Sequence, residues 1–423
     1  MSRHVIRIGV NFQRFGSQLP LLVMLLRLVN RIWNIRETVT LVALMGIVSA
    51  TCPAADLESA ANGQQDSKEL LVIPARDPVD PSRGAPLWTI SIEALALGRS
   101  NSVNQALVSR VPGSNSFYST AVENGAEAFN SNQFQQGYAA GPKLALTYHA
   151  DAGYGIEMSY FNVSNMTASK TIGPDRPGNW LVMKAPGGFW QTQDFPNQGM
   201  NWGATSNLDN AEVNVKFDIS KKATLLAGFR WIQLSDSLTG SLTPGDQNVP
   251  TWKTGPAGGC YGGDPTLYQI DSCAVGAAVN GYPPFWRTST NNNLFGLQAG
   301  AEGTLFEVGR LSFGGFLKAG VFNNRASQTG WVSIEKQMYS SGATTNQAAF
   351  MGEGGIQVKY SIADDLLIKA GYNLLWLGNV ALAPGQIPQT RAGQSPTNIT
   401  ATGVNASSNV LFQGFTVGLQ YAF

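Results

Sequence analysis

Twelve charged side chains alternate with apolar residues along the chain, and they are the residues whose types could do chemistry. Six are acidic and six are basic: Glu93, Lys143, Glu157, Glu212, Lys216, Asp218, Arg230, Glu302, Lys318, Glu353, Lys359 and Lys369. Successive side chains of a β-strand point to opposite faces, so all twelve fall on the face opposite the apolar one. If the apolar face meets lipid, these charges line an enclosed lumen. Their balanced signs predict weak ion selectivity.

Residues suited to catalysis or metal binding are sparse. The histidines are His4 and His149, and a hydrolase triad needs a general base beside its nucleophile. The glycine-rich run around Cys260 lacks the Lys-Ser/Thr pair of a phosphate-binding loop. Acidic residues in the long connections lack the spacing of a calcium-binding loop. We therefore expect neither enzyme activity nor a cofactor.

Cys260 and Cys273 lie in one connection that is rich in glycine and proline. In an exported protein such a pair predicts a disulfide that staples the loop. No histidine lies near them in the sequence, which argues against a metal site.

The first 86 residues show no strand pattern. Arg27, Arg31 and Arg36 precede a short apolar run that ends in small residues, so residues 1–50 are expected to be an N-terminal extension with a cleaved signal peptide. A membrane anchor and lipid modification of Cys52 are the alternatives. Residues 51–86 are polar and rich in proline, which predicts a flexible periplasmic leader before a barrel domain at 87–423.

Ten segments of that domain alternate apolar and polar residues, as strands with one apolar face do. They are 87–97, 142–150, 154–162, 211–219, 223–234, 294–306, 311–322, 350–361, 366–377 and 410–423. Short turns alternate with long connections at 98–141, 163–210, 235–293, 323–349 and 378–410. This is the pattern of an up-and-down barrel in an outer membrane, with short periplasmic turns and long extracellular loops.

The sequence therefore predicts an all-β, transmembrane, antiparallel barrel of about ten strands. Twelve strands are the alternative, because 325–339 reads either as a further strand or as an extension of its neighbour. Trp202 and Trp286 fall in the expected long loops, where loop packing is favoured over stacking on sugars. Several aromatic residues at strand ends suit the interfacial girdles of a barrel.

The composition fits the same fold class. Charged residues make up 13% of the chain, well below the quarter that soluble domains carry. The net charge is +1, and nothing indicates a nucleic-acid partner. Mean hydropathy is only −0.06, as expected where alternate residues face lipid. Outer-membrane lipid is the expected surrounding.

The last strand carries an aromatic ending. Tyr421 and Phe423 lie on its apolar face, and this ending resembles the terminal strand signal of bacterial outer-membrane barrels. The resemblance implies recognition by the barrel-assembly machinery.

Two glycine-aromatic segments and a short loop motif carry a family resemblance. They are residues 228–234, residues 371–380 and the Pro-Gly-Gln sequence at 384–386. Together with the order of hairpins, they resemble the beta-barrel porin type 7 family of planctomycete-type outer-membrane proteins. The resemblance implies a barrel in the outer membrane and supplies neither a catalytic motif nor a transported solute.

Two functions follow from these expectations. The first is a passive, weakly selective, porin-like channel for small solutes. The alternative is a structural or surface-interaction barrel with an occluded lumen and binding loops, because ten to twelve strands lie between side-chain-filled and open barrels. A soluble secreted sandwich is the third hypothesis.

Overall fold

The computed structural model describes residues 87–100, 103–112, 126–150, 153–173, 179–183, 200–242, 285–334, 337–392 and 399–423. The expected signal and leader, at 1–50 and 51–86, lie outside this part of the chain, as do Cys260 and Cys273. None of the described residues forms a helix long and apolar enough to cross a membrane.

The described residues are mostly β-strand, numbered here in chain order. Ten strands form a ring: β1 Trp88–Arg99, β4 Ala139–His149, β5 Tyr154–Ile172, β7 Met200–Ser220, β8 Ala223–Leu242, β9 Phe285–Val308, β10 Leu311–Ile334, β11 Gln337–Ser361, β12 Leu366–Val380 and β15 Ser408–Ala422. Five shorter strands lie outside the ring: β2 Ala106–Pro112, β3 Ala126–Asn130, β6 Asn179–Met183, β13 Thr390–Ala392 and β14 Ile399–Ala401. Two 3-10 helices, Ser131–Gln133 and Ala383–Gln389, are also described.

The ring is a closed antiparallel barrel in which each strand pairs with its neighbours along the chain, apart from the short strands. Each of the ten expected segments overlaps one barrel strand. The twelve-strand alternative is wrong, because residues 325–334 form the end of β10 and residues 337–339 form the start of β11. The first and last barrel strands, β1 and β15, pair over Thr89 to Arg99 of β1. This pairing closes the sheet, so no strand edge is left with unpaired backbone N–H and C=O groups, which hydrocarbon cannot satisfy.

The strands are staggered around the ring. Starting at Arg99 on β1, one can step from each residue to its paired residue on the next strand, once around the ring. The last step returns to β1 beside Leu87, so the register is displaced by twelve residues over one circuit. Such a stagger requires the strands to tilt against the barrel axis. Gly153 and Gly309 lie in two of the short turns with φ of 77° and 59°, a conformation that glycine adopts without steric cost.

A continuous apolar belt covers the outside of the barrel. Every barrel strand contributes an exposed side chain, one from each being Ile92, Leu144, Met158, Val215, Phe229, Leu297, Leu317, Ile356, Leu374 and Leu419. The belt on β10 runs from Leu311 to Val321, which is about 25 Å tall at about 3.3 Å per residue and a tilt of about 40°. That height matches the apolar band of outer-membrane barrels.

Beyond the belt the strands continue as a paired wall with a polar outer face. Outward residues change from Phe295 to Asn293 on β9 and from Val321 to Asn323 on β10. Much of the expected loops at 163–210, 235–293 and 323–349 is therefore strand. The expectation was wrong because Ser, Thr and Asn on the outer face give no apolar stripe, although the backbone pairing continues, with a register shift between Val163 and Met166 on β5.

The inner face of this extension holds a separate apolar core. Trp202 and Trp286 face each other there at 5.8 Å in an edge-to-face arrangement, and each is 2% exposed. Both lie on strands rather than in the expected loops. The small sheet β3-β2-β6 supplies Leu107 and Phe129 to the same core, so it caps the long-loop end of the barrel.

Candidate functional site: the barrel lumen

The inner face of the barrel is the candidate site, and all twelve residues selected from the sequence lie on inward-facing positions. The residues that precede and follow them along each strand point outward, towards the apolar belt. Ten of the twelve form ion pairs with one another, in three clusters at the short-turn half of the lumen.

The central cluster is built around Arg230, whose side chain is completely buried. Its guanidinium contacts the Glu353 carboxylate and lies 3.8 Å from Glu212. Arg230 Nε donates to Asn210 Oδ1 at 2.6 Å. Lys318 Nζ on β10, three strands away around the ring, reaches Glu212 on β7 at 2.8 Å. Bonds across the lumen therefore tie β7, β8, β10 and β11 together.

Two further clusters lie nearer the short turns. Lys216 Nζ lies 2.5 Å from Glu157 and 2.8 Å from Glu302. Glu93, whose side chain is 4% exposed, lies between Lys369 at 2.9 Å and Lys143 at 3.6 Å. Pairing of this kind offsets the high cost of placing single charges in a low-dielectric interior.

The other two selected residues are not ion-paired with any described residue. Asp218 is exposed at the end of β7 and accepts a hydrogen bond from Thr224 at 2.6 Å. Lys359 lies on β11 and lines a polar cavity at the short-turn end.

An apolar layer fills the lumen above the ion pairs, and the sequence reasoning missed it. Nine barrel strands supply side chains that are at most 6% exposed: Leu95, Leu97, Phe161, Val163, Met166, Leu208, Ile232, Leu234, Leu294, Phe322, Ala349, Met351, Leu375, Leu377, Val380, Val410 and Phe412. The tenth strand, β4, packs Ala139 against them. Leu382, from the connection between β12 and β15, is a further buried member. The layer therefore fills the lumen at this level mainly with side chains of the wall itself.

A sequence signal for this layer exists. Strand alternation fails at Leu374-Leu375-Trp376-Leu377, where four apolar residues follow one another. Strands that are buried on both faces read as continuous apolar runs. Here Leu374 and Trp376 face outward, and Leu375 and Leu377 face the lumen.

The connection between β12 and β15 folds into the barrel instead of standing outside it. Its residues 381–387 are all buried. Asp236 on β8 accepts a hydrogen bond from the Ala383 N–H at 2.9 Å. Asn292 on β9 both accepts from the Ala381 N–H at 2.7 Å and donates to the Ala381 carbonyl at 2.8 Å. We call residues 381–387 the inserted segment. Side chains of the barrel wall therefore satisfy hydrogen-bonding groups of its backbone.

The inserted segment is also braced from within. Gln386 donates to the carbonyls of Leu382 at 3.1 Å and Asn405 at 2.6 Å, and its own carbonyl accepts from the Asn405 N–H at 2.9 Å. From the wall, Asn324 on β10 and Gln347 on β11 donate to the carbonyl of Asn379, at the end of β12 just before this segment, at 3.2 Å and 3.0 Å.

A buried ion pair lies beside the inserted segment. Arg99 contacts Asp236, and their side chains are 3% and 2% exposed. Ser206 donates to the same carboxylate at 2.8 Å. Arg99 belongs to the range expected to be a loop, and its partner lies 137 residues away. No local pattern signals this contact.

The arrangement is suited to closing a barrel, because ten of its twelve charged groups are held in ion pairs with one another. Within the described residues, no three His, Cys, Asp or Glu side chains converge as a metal site would require. His149 Nε2 lies 3.1 Å from Thr89 Oγ1 at the short-turn rim, far along the lumen from the inserted segment.

Comparison with known proteins gives distant structural similarity alone. No family model matches the chain, and no curated protein sequence matches it. The solved structure of the outer membrane protease OmpT from Escherichia coli is 9% identical, with 79% of this chain and 96% of that chain covered and a TM-score of 0.40. The translocator domain of the autotransporter NalP from Neisseria meningitidis is 8% identical, with 81% and 90% covered and a TM-score of 0.36.

A further similar structure is the toluene transporter TbuX from Ralstonia pickettii, with 9% identity, 81% and 90% coverage and a TM-score of 0.30. By its own strand order, this chain is a closed, ten-stranded antiparallel β-barrel, and its exposed apolar belt is that of a barrel that spans a membrane. Similarity at these identities and TM-scores shows nothing about activity.

Proposed function

We propose that this protein is an outer-membrane β-barrel with a closed lumen, acting as a structural or surface-interaction barrel through its long-loop end. The apolar layer carries this proposal, because all of its buried side chains except Leu382 belong to the barrel strands themselves. Those side chains cannot leave the lumen unless the wall deforms.

A passive, weakly selective channel, the first function expected from the charges, stays a prediction with less support. An ion that crossed the lumen would have to lose water in the apolar layer, and hydrophobic constrictions block pores by dewetting. The inserted segment adds a second barrier, yet its removal would take only Leu382 out of the layer. Ten strands also enclose a space that side chains can fill, unlike the sixteen or more of an open porin.

Location in an outer membrane is supported by the apolar belt and by the closure of the ring. Tyr421 and Phe423 stack at 6.0 Å at the short-turn end of β15, and the Phe423 N–H donates to the Trp88 carbonyl at 2.9 Å. The terminal strand therefore forms the seam of the barrel with β1. We propose the barrel-assembly machinery as the partner that reads it.

Membership of the beta-barrel porin type 7 family is part of the same proposal. The segments 228–234 and 371–380 lie on β8 and β12, and the 384–386 motif lies in the inserted segment. The Pro-Gly-Gln motif would then serve to fill the lumen, where Gln386 hydrogen-bonds the backbone of the same connection.

Liposome swelling tests the closed lumen. Proteoliposomes with the wild-type barrel are expected to swell no faster than protein-free liposomes in small neutral sugars. A variant with 382–389 replaced by a Gly-Ser linker is expected to behave the same way. Rapid swelling with the wild type would establish the passive channel instead, and swelling with the variant alone would show that the inserted segment is the sole barrier.

The surface role is tested by binding. Wild-type proteoliposomes are expected to bind purified cell-envelope polysaccharide, and a variant that lacks residues 243–284 between β8 and β9 is expected to bind less. Equal binding by both proteins and by protein-free liposomes would contradict a surface-interaction role at this connection.

A further inference from the structure

A polar cavity of about 220 Å³ lies at the short-turn end of the lumen, on the opposite side of the ion pairs from the apolar layer. Its walls differ in charge. One side carries Gln357, Lys359, Lys369 and Gln420 from β11, β12 and β15. The facing side carries acidic residues that already have partners. Glu157 and Glu302 are ion-paired with Lys216, and Asp218 accepts a hydrogen bond from Thr224.

Two lysines oppose each other on the first wall. Lys359 on β11 and Lys369 on β12 are directly paired residues of adjacent antiparallel strands. Like charges in this position destabilise a sheet. Lys369 is compensated by Glu93 at 2.9 Å, whereas Lys359 has neither an ion pair nor a side-chain hydrogen bond with any described residue.

Lys359 differs in this respect from the other lumen lysines. Lys143, Lys216, Lys318 and Lys369 each have a carboxylate within 3.6 Å. Gln357 and Gln420, on the same wall, likewise make no side-chain hydrogen bond with a described residue. The wall therefore presents one uncompensated ammonium and two amide groups to a space of small-molecule size.

We propose that this wall is a binding site for a small oxyanion, a phosphate or carboxylate group that enters from the short-turn side. The anion would supply the negative charge that Lys359 lacks and would screen it from Lys369, while the amide groups of Gln357 and Gln420 donate hydrogen bonds. The carboxylates of the facing wall and the apolar layer above limit the site to small ligands and keep them from crossing. The site does not depend on the surface role proposed above.

Isothermal titration calorimetry tests this site. The full-length barrel in non-ionic detergent is titrated with inorganic phosphate in one arm and acetate in the other, at constant ionic strength set with potassium chloride. Saturable binding of at least one anion is expected. Binding of phosphate alone or acetate alone would assign the ligand class, and the absence of saturable binding in both arms would overturn the proposal.

Variants locate the site. Lys359→Gln is expected to weaken binding at least tenfold and to fold normally, because it removes a like-charge pair. Lys359→Arg keeps the charge and should retain binding. Lys222→Gln is the matched control, because it makes the same change on an exposed turn residue at the same end and should leave binding unchanged. Undiminished binding by Lys359→Gln, or equal loss in the Lys222 control, would refute the assignment.

Discussion

The substitution Arg230→Met gives the most quantitative test of the ion-pair clusters. It removes a fully buried guanidinium, so Glu353 loses the only cation within 4.0 Å of it among the described residues. Asn210 loses a donor at 2.6 Å, whereas Glu212 keeps Lys318 at 2.8 Å. Removing one partner of a buried pair costs roughly 3–5 kcal/mol of unfolding free energy. Because Glu212 stays paired, we expect about 3 kcal/mol.

Urea unfolding of the refolded barrel, followed by tryptophan fluorescence, measures this loss. The double substitution Arg230→Met with Glu353→Gln removes the uncompensated carboxylate and should recover about half of the loss, since replacing both members of a buried pair is far less costly. Arg310→Met, at an exposed turn position, is the matched control and should change stability by less than about 0.5 kcal/mol. A loss below about 1 kcal/mol for Arg230→Met would mean that water screens the pair, as it does for exposed ion pairs, and the lumen would then be open.

Three further predictions concern the layers of the barrel. Phe412→Ala removes a fully buried ring from the apolar layer and should lower the unfolding free energy by about 3–5 kcal/mol; a loss below about 1 kcal/mol would mean the layer is not packed. Val215→Arg introduces a charge into the lipid-facing belt and should cost about 2–4 kcal/mol in vesicles, and an unchanged stability would place that face in water. Asp236→Ala removes the partner of both Arg99 and the Ala383 N–H, so limited proteolysis should cut within 379–408 faster than in the wild type; equal rates would show that the segment is held by other contacts.

Strand number and the facing of side chains could be predicted from the sequence because both follow from local alternation. The segment 211–219 places Val215 outside and Lys216 inside with no knowledge of its neighbours. Pairing with β5 and β8 then follows from chain order. The fold class therefore needed only the period of the pattern and the lengths of the connections.

The ends of the strands and the closure of the lumen could not be predicted in the same way. Outside the membrane the wall has Thr205 and Ser235 on its outer face, and such residues occur equally in loops. The contact of Arg99 with Asp236 joins β1 to β8 across the lumen. The inserted segment is held by hydrogen bonds between its backbone at Ala381 and the side chain of Asn292. Contacts of this kind depend on which residues meet in three dimensions, and no spacing in the sequence encodes them.

The current through a planar lipid bilayer tests the central claim most directly, namely that side chains of the wall close the lumen. With purified wild-type protein in symmetric potassium chloride, we predict that insertion produces no steady conductance at any moderate voltage. A stable, ohmic current with each insertion would show a continuous water path and would contradict the closed barrel.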